Sequence, residues 1–252
     1  MKEAISIKLL YISLAVLCIV SSETKIRSMA MKLFDAHCHL QDQRVVDKAP
    51  LLIHIANAAG VVYIAVDGIT EKDWHLVKEM SDEFDSVIPN FGLHPWYVEG
   101  KSRSWFNTLK ELLEANPSAA VGEIGLDKSP LAKGVDFGEQ GSPEVVPQLT
   151  KLGSYFSFSG HLMPLKEDKA RKIVKAVPLD RILLETDAPD ALPTNPIFFV
   201  PGNATLNQPA NVHSVLTYVA SLLELSKEEL ADISYKNALG VFSFQGSKLP
   251  LK

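Results

Sequence analysis

Two histidines stand one residue apart in FDAHCHL, residues 34–40, in a chain that has only seven. Side chains at i and i+2 of an extended strand point to the same face, so His37 and His39 can bring two imidazoles to one point in space. That is the geometry of a metal clamp. Asp35 shares the face and is the expected partner for one ring, because metal-bound histidines usually donate their other N–H to an oxygen. An HxH alone is more often incidental than metal-binding, so the remaining candidates decide. GEIGLD offers the Glu123 carboxylate among glycines that allow close approach, LLETDAPD offers Asp187, and GLHPWY offers His94 in a turn fixed by Pro95. Mixed imidazole and carboxylate donors suit Zn²⁺, Mn²⁺ or other borderline divalent ions. A carboxylate between two sites can bridge two ions, and two ions can stabilise both the attacking and the leaving oxygen of a phosphodiester.

These residues need elements to hold them. From Met31 onward, short apolar runs alternate with amphipathic stretches, the pattern of parallel strands joined by crossover helices. Strands are predicted at residues 32–37, 61–67, 87–94, 119–127, 155–160 and 181–187, from their β-branched and aromatic content. Helices are predicted at 51–60, 71–84, 104–115, 166–177, 211–225 and 227–242. Thr70 and Ser104 are candidate caps, Gly60 a C-terminal stop, and Ser226 with Glu229 a capping box. His37, His39, Asp67, His94, Glu123, Asp127 and Asp187 all fall at C-terminal strand ends, the edge where parallel α/β folds place their chemistry. Six strands are not eight, however. A (β/α) barrel takes roughly 30 residues per strand-helix unit, and the stretch from Asp127 to Tyr155 is about one unit long with no strand run of its own.

Composition sets outer limits. The 252 residues are 46% apolar and 22% charged, enough for one large core. A net charge of −5 gives no global field to attract nucleic acid, so a polyanion has to be held locally. Cys18 and Cys38 are the only cysteines and imply no disulfide framework; Cys38 should face away from both rings. Residues 9–20, LLYISLAVLCIV, resemble a signal h-region but fall short of the ~20 apolar residues of a membrane span. The first thirty residues are read as an upstream extension of a cytoplasmic protein, the alternative being secretion if residues 1–22 act as a signal peptide. No stable membrane partner is expected, and the chain is expected to be a monomer.

Taken together, FDAHCHL, FGLHPWY, VGEIGLDK, SFSG and ILLETDAPD, with Asn237 in KNALGVF, resemble the TatD family of metal-dependent deoxyribonucleases, amidohydrolase-like TIM barrels. The resemblance runs from Met31 to about Phe242. It implies that His37, His39, Glu123 and Asp187 are metal ligands, that Glu123 bridges to a second ion, and that Glu123 and Asp187 carry the catalysis. It implies Mg²⁺, Mn²⁺ or Zn²⁺ as cofactor, and DNA, as single strands or ends, as substrate. His94 would lie beside the metals and hold substrate phosphate. Trp96, in the substrate-binding set, and Tyr97 either stack on an unpaired base or pack the loop.

One departure accompanies the match. Family members carry two further strands after GEIGLD, each ending in a metal-site histidine, whereas no histidine lies between His94 and His161 here. The expectation is therefore an α/β TIM barrel of about six of the eight strands in residues 31–252, with a gap near 128–145. Its second metal site would keep only the Glu123 bridge. Unpaired strand edges and a thinner core would make it marginally stable. His161, just past YFSFSG, is the one nearby histidine able to replace a lost ligand; the resemblance gives it no metal role, and it is read as a loop residue. His54 is read as a core or groove histidine, His75 and His213 as surface or boundary groups, and Glu185 as a supporting carboxylate. An amide or lactone hydrolase of the same superfamily and a non-catalytic truncated form are the alternative functions.

Overall fold

The computed structural model describes residues 31–125 and 143–249. Among these, six strands form. β1 (Leu33–Cys38), β2 (Val61–Gly68), β3 (Val87–Phe91) and β4 (Ala120–Val121) make a parallel sheet in that order, and β5 (Phe156–Phe158) pairs in parallel with β6 (Ile182–Leu184). The two sheets meet just beyond β6: Asp187 N donates to His37 O at 3.0 Å, and His39 N to Ala188 O at 2.6 Å. The spatial sequence is thus β5-β6-β1-β2-β3-β4. No strand pairing joins β4 to β5 among the described residues.

Helices α1 (Ala49–Ala58), α2 (Trp74–Glu83), α3 (Trp105–Ala115), α4 (Val146–Lys151), α5 (Glu167–Lys175), α6 (Val212–Leu223) and α7 (Lys227–Phe242) complete the order. Strands with both faces covered read as apolar runs, and Val61, Ile64, Ala65, Val66, Val87, Ile88 and Phe91 are all fully buried. Helix α1 buries Leu52, Ile53 and Ala56, and it stops at Gly60, whose φ of 92° suits glycine. Ser226 and Glu229 form the expected capping box. Thr70 does not cap: α2 starts at Trp74, and Asp73 accepts the N–H groups of Ile69 and Thr70 instead. Ser104 stands at the N-cap of α3 without a capping hydrogen bond from its side chain, which pairs with Ser102 Oγ at 3.2 Å instead.

The last helix ties the strands together. Phe34 and Ala36 of β1, Ala65 of β2, Ile88 of β3 and Leu183 of β6 share one cluster with Ala238 and Phe242 of α7. The Phe34 and Phe242 rings stack at 4.9 Å, and burial of each such side chain is worth about 1.5–3 kcal/mol. Asn237 Nδ2 donates to Leu179 O and Ile182 O at 2.8 and 2.9 Å, fixing α7 on the start of β6. β4 is much shorter than the predicted 119–127: among the described residues it pairs with β3 alone, and glycines follow at 122 and 125. Asp127, Lys128 and most of the expected gap near 128–145 lie outside the described residues. No helix among the described residues is long and apolar enough to cross a membrane.

Candidate metal centre

His37 and His39 meet as their spacing predicts. Their Nε2 atoms lie 3.1 Å apart with the rings edge to face, while Cys38 between them is buried and directs its thiol to Ala65 O. Two unprotonated ring nitrogens this close repel unless a proton or a cation lies between them.

The orienting residue is not Asp35. That side chain is wholly buried and accepts from Thr186 N at 2.7 Å and Thr186 Oγ1 at 2.5 Å, so it fastens β1 to the end of β6; burial pushes its pKa up to about 8, against the Thr186 hydrogen bonds. Asp67, at the end of β2, takes the role twice. Its Oδ2 lies 3.3 Å from His37 Nδ1, and its backbone carbonyl lies 2.9 Å from His39 Nδ1. Gln41 also donates to that carbonyl, at 2.6 Å. With an acceptor facing each Nδ1, both rings carry their proton there and turn Nε2 lone pairs toward the same point. Burial disfavours a charged His37, but Asp67, Glu185, Glu123 and Asp187 outweigh it and push the pKa up to about 9, so without a cation Nε2 is protonated as well, and a metal ion would take the place of that proton.

Two carboxylates complete the cluster. Glu123 Oε2 lies 3.9 Å from His37 Nε2 and 3.5 Å from His39 Nε2; Asp187 Oδ1 lies 3.7 and 3.6 Å from the same atoms. Glycine packing places Glu123: Gly122 N donates to Phe91 O at 2.8 Å, and a Cβ on Gly92 would fall 2.5 Å from Glu123 O. Asp187 has a left-handed φ of 54° and closes a turn by accepting from Asp190 N at 2.9 Å. Arg44 holds that turn, pairing in bidentate fashion with Asp190 at 2.7 and 2.8 Å and also with Asp42. Burial opposes ionisation of Asp187, yet His161, His37 and His39 hold its pKa below the usual range. Glu185 supports from beside it, hydrogen-bonded by Ser157 and with its pKa raised by burial.

His94 stands beside this cluster. Its Nδ1 accepts from Trp96 N at 3.1 Å, which places the ring proton on Nε2, 3.2 Å from Glu123 Oε1. His94 therefore orients Glu123 and turns an N–H toward the cleft. Trp96 and Tyr97 are exposed and line a cleft of about 620 Å³ together with His39, Gln41, Arg44, Glu123, His161 and Asp187. The Trp96 ring meets His94 edge to face at 4.9 Å, and the residue is still 45% exposed toward the cleft. His161 also reaches the site, with Nε2 3.3 Å from Asp187 Oδ2. Elsewhere, His54 is exposed and meets Phe84 edge to face rather than filling the core, His75 is exposed, and His213 is a boundary residue 2.7 Å from Ala59 O.

The donor set fits a divalent cation. Donor atoms bound at about 2.1 Å stand roughly 3.0 Å apart at octahedral and 3.4 Å at tetrahedral angles. The five separations that the two histidine Nε2 atoms make with each other, with Glu123 and with Asp187 run from 3.1 to 3.9 Å, of this order. His37, His39 and Glu123 on their own already form a compact three-ligand group.

The family model for TatD related DNase matches residues 34–138 and 137–243. YabD of Bacillus subtilis, named an uncharacterized metal-dependent hydrolase, is 28% identical over 257 positions, covering 83% of this chain and 98% of its own. The putative deoxyribonuclease TATDN3 of Mus musculus is 24% identical over 272 positions, covering 85% and 89%. In fold, the chain is similar to the TatD homolog YJJV of Escherichia coli, at a TM-score of 0.70 and 22% identity over 88% of this chain and all of that one. A TatD family hydrolase from Entamoeba histolytica gives 0.72 at 15% identity. With the family model spanning both halves of the sheet, from the strand that bears His37 to the helix that bears Asn237, the chain belongs to the TatD related DNase family.

Proposed function

We propose that this protein is a metal-dependent phosphodiesterase acting on DNA, with single strands or strand ends as substrate, and that His37, His39, Glu123 and Asp187 hold its metal. The observation that carries this reading is the convergence of two Nε2 lone pairs and two carboxylate oxygens at the C-terminal edge of a parallel sheet. The names of relatives, which include a putative deoxyribonuclease, support the substrate class. A bound divalent ion supplies Lewis acidity at phosphorus and lowers the pKa of a nucleophilic water.

The chain's own residues do the rest. Asp67 fixes the tautomer and direction of both imidazoles. His94 Nε2–H, held outward by the Trp96 amide, donates to a phosphate oxygen or to Glu123. Exposed Trp96 stacks on an unpaired base, an interaction worth about 1–3 kcal/mol. The lining of the cleft is rich in carboxylates, and its Arg44 is committed to Asp42 and Asp190, so the metal is the main positive charge that meets the substrate.

We also infer that the chain has lost two strand-helix units between β4 and β5. The alignment with YabD runs over 257 positions but uses only 83% of these 252 residues, leaving about fifty positions with no residue of this chain. The family match also divides at residues 137–138. The first metal site is untouched by that loss. To test the substrate class, the full chain is incubated with Mn²⁺ and, in parallel, a labelled single-stranded oligonucleotide, its duplex, a chromogenic ester and a lactam. Cleavage of the single strand above all others is expected; turnover of the ester or lactam with intact DNA would instead establish the amide or lactone reading.

A further inference from the structure

The two carboxylates of the metal centre each divide their oxygens. Glu123 turns Oε2 to the His37/His39 pair and Oε1 to His94 Nε2 at 3.2 Å. Asp187 turns Oδ1 to the same pair and Oδ2 to His161 Nε2 at 3.3 Å. His94 accepts a backbone N–H on Nδ1 and so presents a proton on Nε2; the His161 ring is paired with Asp187, which raises its pKa, so without a cation Nε2 holds a proton that a metal ion would displace.

Local structure builds this contact from both sides. Residues Gly160–Leu162 form a 3₁₀ turn directly after β5. A Cβ on Gly160 would overlap Ala191 O, so only glycine lets this turn close against the loop that follows Asp187. On the other side, the Asp187 turn is locked by its hydrogen bond from Asp190 and by the Arg44 pair. His161 lies in this turn, and its side chain is 71% exposed at the mouth of the cleft.

We propose that Asp187 is a bridging carboxylate in this chain and that His161 Nε2 and Asp187 Oδ2 hold a second divalent cation, the remaining positions being filled by water or by phosphate oxygens of the substrate. This gives a second ion a foothold that does not depend on the missing strands. The 3.3 Å separation matches the donor spacing around one ion, about 3.0–3.4 Å. With only two protein donors, this site is expected to be the weaker of the two. The inference rests on the reading of His37, His39, Glu123 and Asp187 as a metal centre.

Mn²⁺ binding to the full chain tests it, by equilibrium dialysis and by electron paramagnetic resonance, in which two ions bridged by one carboxylate give an exchange-coupled signal. The parent is expected to bind two ions and to show that signal. His161→Ala, at an exposed position where folding is little affected, should keep the tight ion at unchanged affinity, weaken the second at least 10-fold and abolish the coupled signal. His161→Asp should restore it. A parent that binds one ion, or a His161→Ala protein that binds two with unaltered affinities, overturns the proposal. If one ion is bound and His37→Ala with His39→Ala removes it, the metal centre stands and only the His161 site falls; if no ion is bound, both fall.

Discussion

Asp67 shows how one residue can govern a site without entering it. Its carboxylate faces His37 Nδ1 and its carbonyl faces His39 Nδ1, so both imidazoles present the same face to the cleft. The sequence makes the two histidines legible because strand periodicity is two, and it makes Glu123 and Asp187 legible because they sit in motifs at strand ends. Asp67 was visible only as one more strand-end carboxylate. Which acceptor meets which ring depends on parallel register between β1 and β2, and that register breaks between Asp35 and Cys38, a detail with no local signature. Asp35, the closer residue in sequence, points instead to Thr186. Loss of such a supporting partner typically costs 10- to 100-fold in metal affinity. Asp67→Ala is therefore expected to lower Mn²⁺ affinity by about that factor while the backbone carbonyl still orients His39. Asp67→Asn, which keeps an oxygen acceptor, should fall between; competition with a fluorescent chelator measures both.

The strands and helices were largely foreseeable from their apolar runs, and their ends were not. β3 stops at Phe91 rather than reaching His94, and β4 at Val121 rather than residue 127. Past those points the chain is shaped by Gly92 and Gly122, which lie in direct backbone contact. That contact carries Glu123 to the histidines in place of strand pairing. A methyl group at residue 92 would fall within 3 Å of the Glu123 backbone, and forcing in an extra methyl typically costs about 1–3 kcal/mol. Gly92→Ala is thus expected to lower thermal stability by that amount and to weaken metal binding as Glu123 moves away, with the β1 histidines left in place. Melting curves with and without Mn²⁺ separate the two effects: the metal-induced rise in melting temperature should shrink by more than the metal-free melting temperature falls.

For the molecule as a whole, six strands in the order β5-β6-β1-β2-β3-β4 keep the arc that carries His37, His39, Asp67 and Asp187 continuous, with Glu123 at its last edge. The expectation of an incomplete barrel comes from counting motifs against length, and the described residues supply six parallel strands without including 126–142. What counting could not show is that the arc remains joined where the site lies, through hydrogen bonds from the end of β1 to the end of β6, and that α7 packs on β1 and β6 within a cluster that also takes in Ala65 of β2 and Ile88 of β3. The position of His161 beside Asp187 is likewise a product of the assembled turns. The central claim, that this arc alone holds a working metal centre, is tested most directly by cleavage of end-labelled single-stranded DNA by the full chain with Mn²⁺, with bound metal counted on the same sample. The predicted result is cleavage that EDTA stops, that Mn²⁺ restores, and that disappears with the bound ion in the His37→Ala, His39→Ala double variant. Cleavage that survives both EDTA and the double variant, or a folded protein that binds no metal, would contradict it.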